Sequence, residues 1–471
     1  MEVLRGPQGT LYGRNATAGV VNRSSAKPTD QWEAMGSVDV GNYNTRRVEG
    51  MLNLPIVGDK IDLRLAGEWT KRDGYTYDTT IAKPVDGRNL WSGRVSLRLK
   101  PIENLQADII WEHFHENDDR LRSAKTLCKN DPGPSSVDGP AGLVSNIDIS
   151  GRAWLSQGCL PGSLYDDSAF QAPNAGVIPF VAASEYLFPL MVQGFDPYGG
   201  VQQARSLRVI GSALEPGYKA NNDTLEFNVT YNVTPELTLT SQTGYNKDSL
   251  YSTEDYSRFN TVPGAFLPGN VVGDDGEFCD PQLGCSSSVL GEDVSQEHAE
   301  QFYQEVRLSS ALEGPLNFSV GASYLHYHTV EDYFVFFNLV SRLAESGAYN
   351  NVTVPLGAHI PFDADAANAC EPAAADPAIV SLFGCTYVDP NPLSGIDGQG
   401  HNYFRSQNPY RLHSWAGFGE AYYQLTPEVK LTAGVRWTDD MKSFDEIPSW
   451  VLLPGKGLPM TSVLDQQWKE W

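Results

Sequence analysis

From about residue 34 onward the chain alternates between apolar and polar positions, a period of two that marks β-strands rather than helices. In the stretch 60–72, Ile61, Leu63, Leu65, Gly67 and Trp69 share one face, and Asp62, Arg64, Ala66 and Glu68 share the other. The same split recurs downstream. Leu105, Ala107, Ile109 and Trp111 oppose Gln106, Asp108, Ile110 and Glu112. Leu225, Phe227, Val229 and Tyr231 oppose Glu226, Asn228 and Thr230. Val429, Leu431, Ala433, Val435 and Trp437 oppose Lys430, Thr432, Gly434 and Arg436. The pattern predicts strands at 34–43, 45–54, 60–72, 88–99, 105–115, 222–233, 237–248, 298–310, 316–330, 411–425 and 429–441. It also predicts the opening of a further strand at the C-terminus, Gln466 to Trp471.

The connections carry as much information as the strands. Tight turns fall at 55–59, 100–104, 234–236, 311–315 and 426–428, and long segments at 73–87, 116–221, 249–296, 331–410 and 441–465. Short and long connections are expected to alternate strictly, all short ones at one end of the sheet. Outer-membrane barrels have this asymmetry, with short periplasmic turns and long extracellular loops. No stretch reaches the ~18 apolar residues of a membrane helix, but a membrane strand needs only ~9–11. A soluble sandwich also alternates. Here, however, the polar face is charged on strand after strand, and Trp69, Trp111 and Trp437 stand near the loop ends, where a barrel places its aromatic girdle. The expected fold class is all-β, a partial antiparallel transmembrane β-barrel of about 11 strands.

Composition narrows the reading. The chain of 471 residues carries 58 Asp and Glu against 34 Lys and Arg, a net charge of −24. Such acidity excludes a nucleic-acid binder, which needs a basic face. Cysteines stand at 128, 159, 279, 285, 370 and 385, two in each of three loops. Pairings Cys128–Cys159, Cys279–Cys285 and Cys370–Cys385 would staple each loop once and imply an oxidising compartment. Zinc is the competing reading, but no Cys-x-x-Cys spacing supports it. His113 with His115, and His326 with His328, are spaced for a shared strand face, but both pairs continue apolar outward lines and are expected at the membrane interface rather than on a metal. Asp274-Asp275-Gly276-Glu277 and Asp363-Ala364-Asp365 read as solvated acidic loops, since neither matches a calcium-binding loop. No metal, cofactor or catalytic residue is assigned, and no enzyme is expected.

Residues 1–30 differ from the rest. The run Glu2-Val3-Leu4-Arg5-Gly6-Pro7-Gln8-Gly9-Thr10-Leu11-Tyr12-Gly13-Arg14-Asn15-Ala16 is punctuated by glycines, which permit tight turns and close backbone approach. It is neither a P-loop nor a dinucleotide fingerprint. It closely resembles the end of the plug domain of TonB-dependent outer-membrane receptors, with Arg5, Gly6, Pro7, Gly9, Gly13 and Arg14 carrying the motif. Glu305-Val306-Arg307-Leu308-Ser309-Ser310 resembles a recurrent strand opening of the same family. Ala18, where a glycine is usual, and Arg23-Ser24-Ser25 depart from its pattern. The resemblance implies a plugged barrel of about 22 strands. Residues 1–30 would be the end of the plug and 31–471 the N-terminal half of the barrel. Met1 to Pro7 lack a leader pattern, and both ends are expected to be cuts within a longer protein. The resemblance further implies an outer-membrane location in a Gram-negative bacterium, lipid as a partner, and TonB as another, reached through a plug segment outside this sequence. It implies import of a scarce small-molecule ligand, an iron–siderophore complex first, with haem, cobalamin or a glycan as alternatives.

Candidate ligand contacts are aromatic and lie in the loops: Tyr256, Phe259, Tyr333, Phe334, Phe336 and Phe337. The run from Tyr333 to Phe337 has two readings, an exposed binding surface or a strand extension packed beneath the loop. The lumen-facing charges Asp62, Arg64, Glu68, Arg94, Arg98, Asp108, Glu112, Glu226, Arg307 and Arg436 are expected to meet water and the plug surface, including Arg5 and Arg14. Competing functions are a passive porin-like channel, which needs no plug, a secreted β-propeller enzyme, and an inactive truncated product. The absence of repeats of ~40–50 residues speaks against the propeller.

Overall fold

The computed structural model describes residues 1–13, 16–139, 142–145, 152, 155–174, 198–255, 259–264, 276–339, 341, 391–395, 404–447, 450–451 and 462–470. Twelve strands form one continuous antiparallel path: β1 Glu33–Gly41, β2 Thr45–Val57, β3 Ile61–Arg72, β4 Arg88–Ile102, β5 Leu105–Asp118, β6 Gly217–Thr234, β7 Leu237–Asp255, β8 Gly291–Ser310, β9 Leu316–Phe337, β10 Phe404–Thr426, β11 Val429–Glu446 and β12 Ser462–Glu470. Each strand pairs with its neighbours in sequence order, as a meander must. No helix among the described residues is long and apolar enough to cross a membrane.

The sheet is inside out relative to a soluble protein. On one face Leu225, Phe227, Val306, Val320, Trp415 and Val435 are exposed. The opposite face, which the Gly9–Tyr12 helix and residues 27–31 contact, is polar and laced with ion pairs. Arg94 Nε lies 2.8 Å from Glu112, Arg98 Nε 2.8 Å from Asp108, and Arg307 2.6 Å from Glu305. An exposed apolar band of this extent, over strands whose backbone groups are paired in the ladder, is what lipid requires. The outer face also carries aromatic clusters. Trp91 is 4.9 Å from His113, Tyr324 4.3 Å from Trp415, and His326 stacks on His413 at 4.5 Å.

Two expectations about connections are corrected. The first hairpin, between β1 and β2, closes at the loop end by a tight turn, so strict alternation of short and long fails there. Tyr43 and Asn44 take φ of 59° and 54°, and Thr45 N donates to Asn42 O at 3.3 Å. This left-handed pair matches the twist of the flanking strands. The five turns at 55–59, 100–104, 234–236, 311–315 and 426–428 do share the other end.

The second correction is length. Strands β6 to β10 run several residues further toward the loop end than the alternation indicated. Residues such as Gly291, Glu292 and Asp293 no longer alternate by polarity, because loop residues rather than lipid cover the outer face there. Leu283, Leu290, Val294, Phe334 and Phe336 form an apolar cluster at this end. A small sheet also zips two loops together: Thr76–Asp78 pairs with Lys83–Val85 and, in parallel, with Val209–Ile210.

Candidate functional site

The first constellation is where the N-terminal segment meets the wall. Glu2–Arg5 pairs with Gly19–Asn22 as a hairpin around the short helix Gly9–Tyr12. Gly19 has a φ of 145°, and a Cβ there would lie 2.4 Å from Leu4 O, so only glycine fits. Gly13 (φ 77°) faces Arg436 of β11, whose Nη1 donates to Thr10 O at 3.3 Å. Arg5 is exposed, and Arg14 lies outside the described residues.

Downstream, the linker to β1 is clamped to the inner face. Asn53 of β2, fully buried, accepts from Thr29 N at 3.0 Å and donates to Thr29 O at 2.8 Å and Gln31 O at 2.6 Å. Lys27 Nζ is 3.0 Å from Asp108, and Arg98 donates to Pro28 O at 2.8 Å. Asp62, directly across from Arg98 in the ladder, is fully buried and accepts no hydrogen bond. Arg98 is committed instead to Asp108 and the linker.

The second constellation lies at the loop end. A cleft of about 340 Å³ is lined by the loops after β3, β5 and β7. Its lining includes Thr80, Lys125, Ile210, Asp255, Phe259 and Asn260. Glu254 also lines it, and the β7–β8 register sets Glu254 opposite Asp293 and Asp255 opposite Glu292, the two pairs on opposite faces of the sheet. Arg122 bonds Asp293 and lies 3.8 Å from Glu254. Asp255 accepts from Ala213 N at 2.8 Å and Ser212 Oγ at 3.0 Å. Burial, and then the Asp255 carboxylate, push the Glu292 carboxyl well above its ordinary range. Two disulfides staple this end. Cys128–Cys159 has a Cα separation of 4.9 Å, and Cys279–Cys285 closes a small hairpin. Cys370–Cys385 lies outside the described residues.

No family model matches the chain. Solved structures with the same architecture do. The ferric yersiniabactin uptake receptor FyuA from Yersinia pestis superposes with a TM-score of 0.53 at 12% identity, covering 99% of this chain and 48% of that one. The ferric-catecholate import receptor Fiu from E. coli K12, in its open form, gives 0.53 at 13% identity, covering 99% and 55%. The siderophore receptor PiuA from Acinetobacter baumannii gives 0.51 at 13%, covering 99% and 50%. The fold is that of an outer-membrane receptor barrel. At these identities the likeness is one of fold, and the chain spans about half the length of the receptors it matches.

On this receptor fold the aromatic candidates separate. Phe334 and Phe336 point to the outer side of the extended strands and are buried in the loop-end cluster, with Arg405 stacked 4.9 Å over Phe334. Val335 and Phe337 are buried too. Of the two readings of this run, packing beneath the loop describes where these rings sit, because β9 continues through them. Tyr333 is half-buried on the inner face, and its hydroxyl donates to Asp293 at 3.4 Å. Phe259 lines the cleft and meets Tyr198 edge-on at 6.3 Å, while Tyr256, Asp274, Asp275, Asp363 and Asp365 lie outside the described residues. Sequence reasoning passed over Asn53, Arg122, Asp255 and Glu292. Asn53 carried no signal, being one asparagine in a strand. Arg122, Asp255 and Glu292 lie in the long connections 116–221 and 249–296, where polarity does not alternate, and only strand register sets Asp255 opposite Glu292.

Proposed function

We propose that this chain forms part of an active-transport receptor of the Gram-negative outer membrane. Its loop end captures a scarce small molecule from outside, and a plug within the barrel gates its passage, energised through TonB. A ferric siderophore is the first ligand class, since FyuA, Fiu and PiuA are named for such uptake. The observation that carries this reading is the contact of the Gly9–Tyr12 helix and of residues 27–31 with the polar face of an inside-out sheet. Arg436 grips the Gly9–Tyr12 helix, and Asn53, Arg98 and Asp108 grip the linker. A passive channel has no use for a segment held across its inner wall. Loops stapled by disulfides suit capture, because preorganised loops lose less entropy on binding.

The test is uptake. A receptor-deficient Gram-negative strain expressing the receptor should import radioiron supplied as a ferric-siderophore complex, and lose import when TonB is deleted. Import that persists without TonB would favour the passive channel and reject this reading.

A further inference from the structure

We propose that Arg98 is a two-position clasp, which holds the linker while it is paired with Asp108 and passes to Asp62 when residues 27–31 leave the wall. The proposal concerns contacts within this chain and stands whether or not the receptor reading holds. Three neighbours on the inner face carry it. The β3–β4 register sets Asp62 opposite Arg98, and the β4–β5 register sets Arg98 opposite Asp108. One cation therefore stands between two carboxylates, and it is turned to one of them. Its Nε lies 2.8 Å from Asp108 Oδ1 and its Nη2 3.5 Å from Oδ2, while its Nη1 donates to Pro28 O at 2.8 Å.

Asp62 is left over. It is fully buried, and neither of its carboxylate oxygens has a hydrogen-bond partner. The next cation on its strand, Arg64, is engaged with Glu33 at 3.2 Å. On its other side Asp62 stands opposite Pro55, which has no side-chain donor. A buried carboxylate without a partner is costly. Because Asp62 is already closed off, no further segment can reach it unless something around it moves. The linker is such an element. Its hold on the wall is Lys27, exposed and 3.0 Å from Asp108, together with Pro28 O on Arg98 and the backbone groups of Thr29 and Gln31 on Asn53.

The charges explain why the clasp has two positions. With the linker docked, Asp62 and Asp108 balance Arg98 and Lys27 in number, but both cations sit on Asp108. When residues 27–31 lift, Lys27 leaves with them and Arg98 loses Pro28 O. Arg98 is then the one cation of the four groups, flanked by two carboxylates. A guanidinium has five donors and can serve both. Asp62 gains a partner and water together. Its orphaned charge therefore raises the docked state relative to the released one, and the linker opens more readily than its own contacts dictate.

Hydrogen exchange at the Thr29 amide, in the protein purified in detergent, reads this opening. Asp62→Asn keeps the side-chain shape and removes the charge, so it should slow Thr29 exchange about tenfold while adding no contact to the linker. Asp108→Asn should speed exchange, because it frees both cations. In that background Arg98 already turns to Asp62, so adding Asp62→Asn should no longer slow Thr29. An unpaired charge acting independently of Arg98 would slow it equally in both backgrounds. Thr29 exchange unchanged or faster in Asp62→Asn, or the same slowing with and without Asp108→Asn, would overturn the proposal.

Discussion

Replacing Asn53 by alanine should release the linker from the barrel wall. The side chain is fully buried and satisfies three groups of the linker backbone: Thr29 N, Thr29 O and Gln31 O. Each such hydrogen bond is worth about 1 kcal/mol net, and more if its partner stays buried and unpaired. Three give ~3 kcal/mol, so protection of the linker should fall roughly a hundredfold at 1.4 kcal/mol per decade. Hydrogen exchange followed by mass spectrometry reads this directly, because the Thr29 amide is itself one of the bonded groups. The expected outcome is fast exchange at 27–31, with β6 to β9 unchanged. Linker exchange that stays slow in Asn53→Ala would refute the reasoning, since it would mean that Lys27, Arg98 and Asp108 hold the segment without it.

Other outcomes follow from the loop end. Opening Cys128–Cys159, which spans 31 residues, should destabilise its loop by ~4 kcal/mol on a chain-entropy estimate. Opening Cys279–Cys285, spanning 6, should cost ~2 kcal/mol. Limited proteolysis after reduction should therefore cut the first loop sooner. Phe336→Ala should lower the stability of the loop-end cluster by about 3–5 kcal/mol. Ligand affinity lost in proportion to that unfolding would mark the ring as support, whereas lost affinity with the cluster intact would mark it as a contact. Glu292 supplies a pH test. Its folded pKa is raised, so the folded state holds the proton more tightly than the unfolded one, and stability falls as pH rises through that interval. Glu292→Gln should match the parent below pH ~4 and exceed it increasingly above, in denaturant unfolding across pH. A constant difference at every pH would contradict the assignment.

How much of this was legible in the sequence depends on which solvent a residue faces. In the apolar band each outward position must be apolar, and period two gave the faces of β3, β5, β6 and β11 from Ile61, Leu105, Leu225 and Leu431 onward. Beyond the band that constraint ends. There β8 and β9 are held by register and by loop residues such as Leu283, so Glu292 and Phe336 gave no strand signal. The Tyr43–Asn44 turn falls where the alternating stretches 34–43 and 45–54 meet, and with no glycine or proline at those two positions it carries little turn signal. The disulfides at 128–159 and 279–285 followed from each loop holding two cysteines. The clamp at Asn53 was not legible, because it depends on three-dimensional contact with residues 24 and 22 positions earlier.

The central claim is that the face bearing Leu225 and Phe227 meets lipid while Glu226 and Asn228 meet the barrel interior. Single nitroxide labels at 225 to 230, in the protein reconstituted into liposomes, test it most directly. Collision with lipid-soluble oxygen should peak at 225, 227 and 229, and collision with a water-soluble nickel complex at 226, 228 and 230. A nickel signal at 225, 227 and 229 as high as at their neighbours would place that face in water and contradict the account.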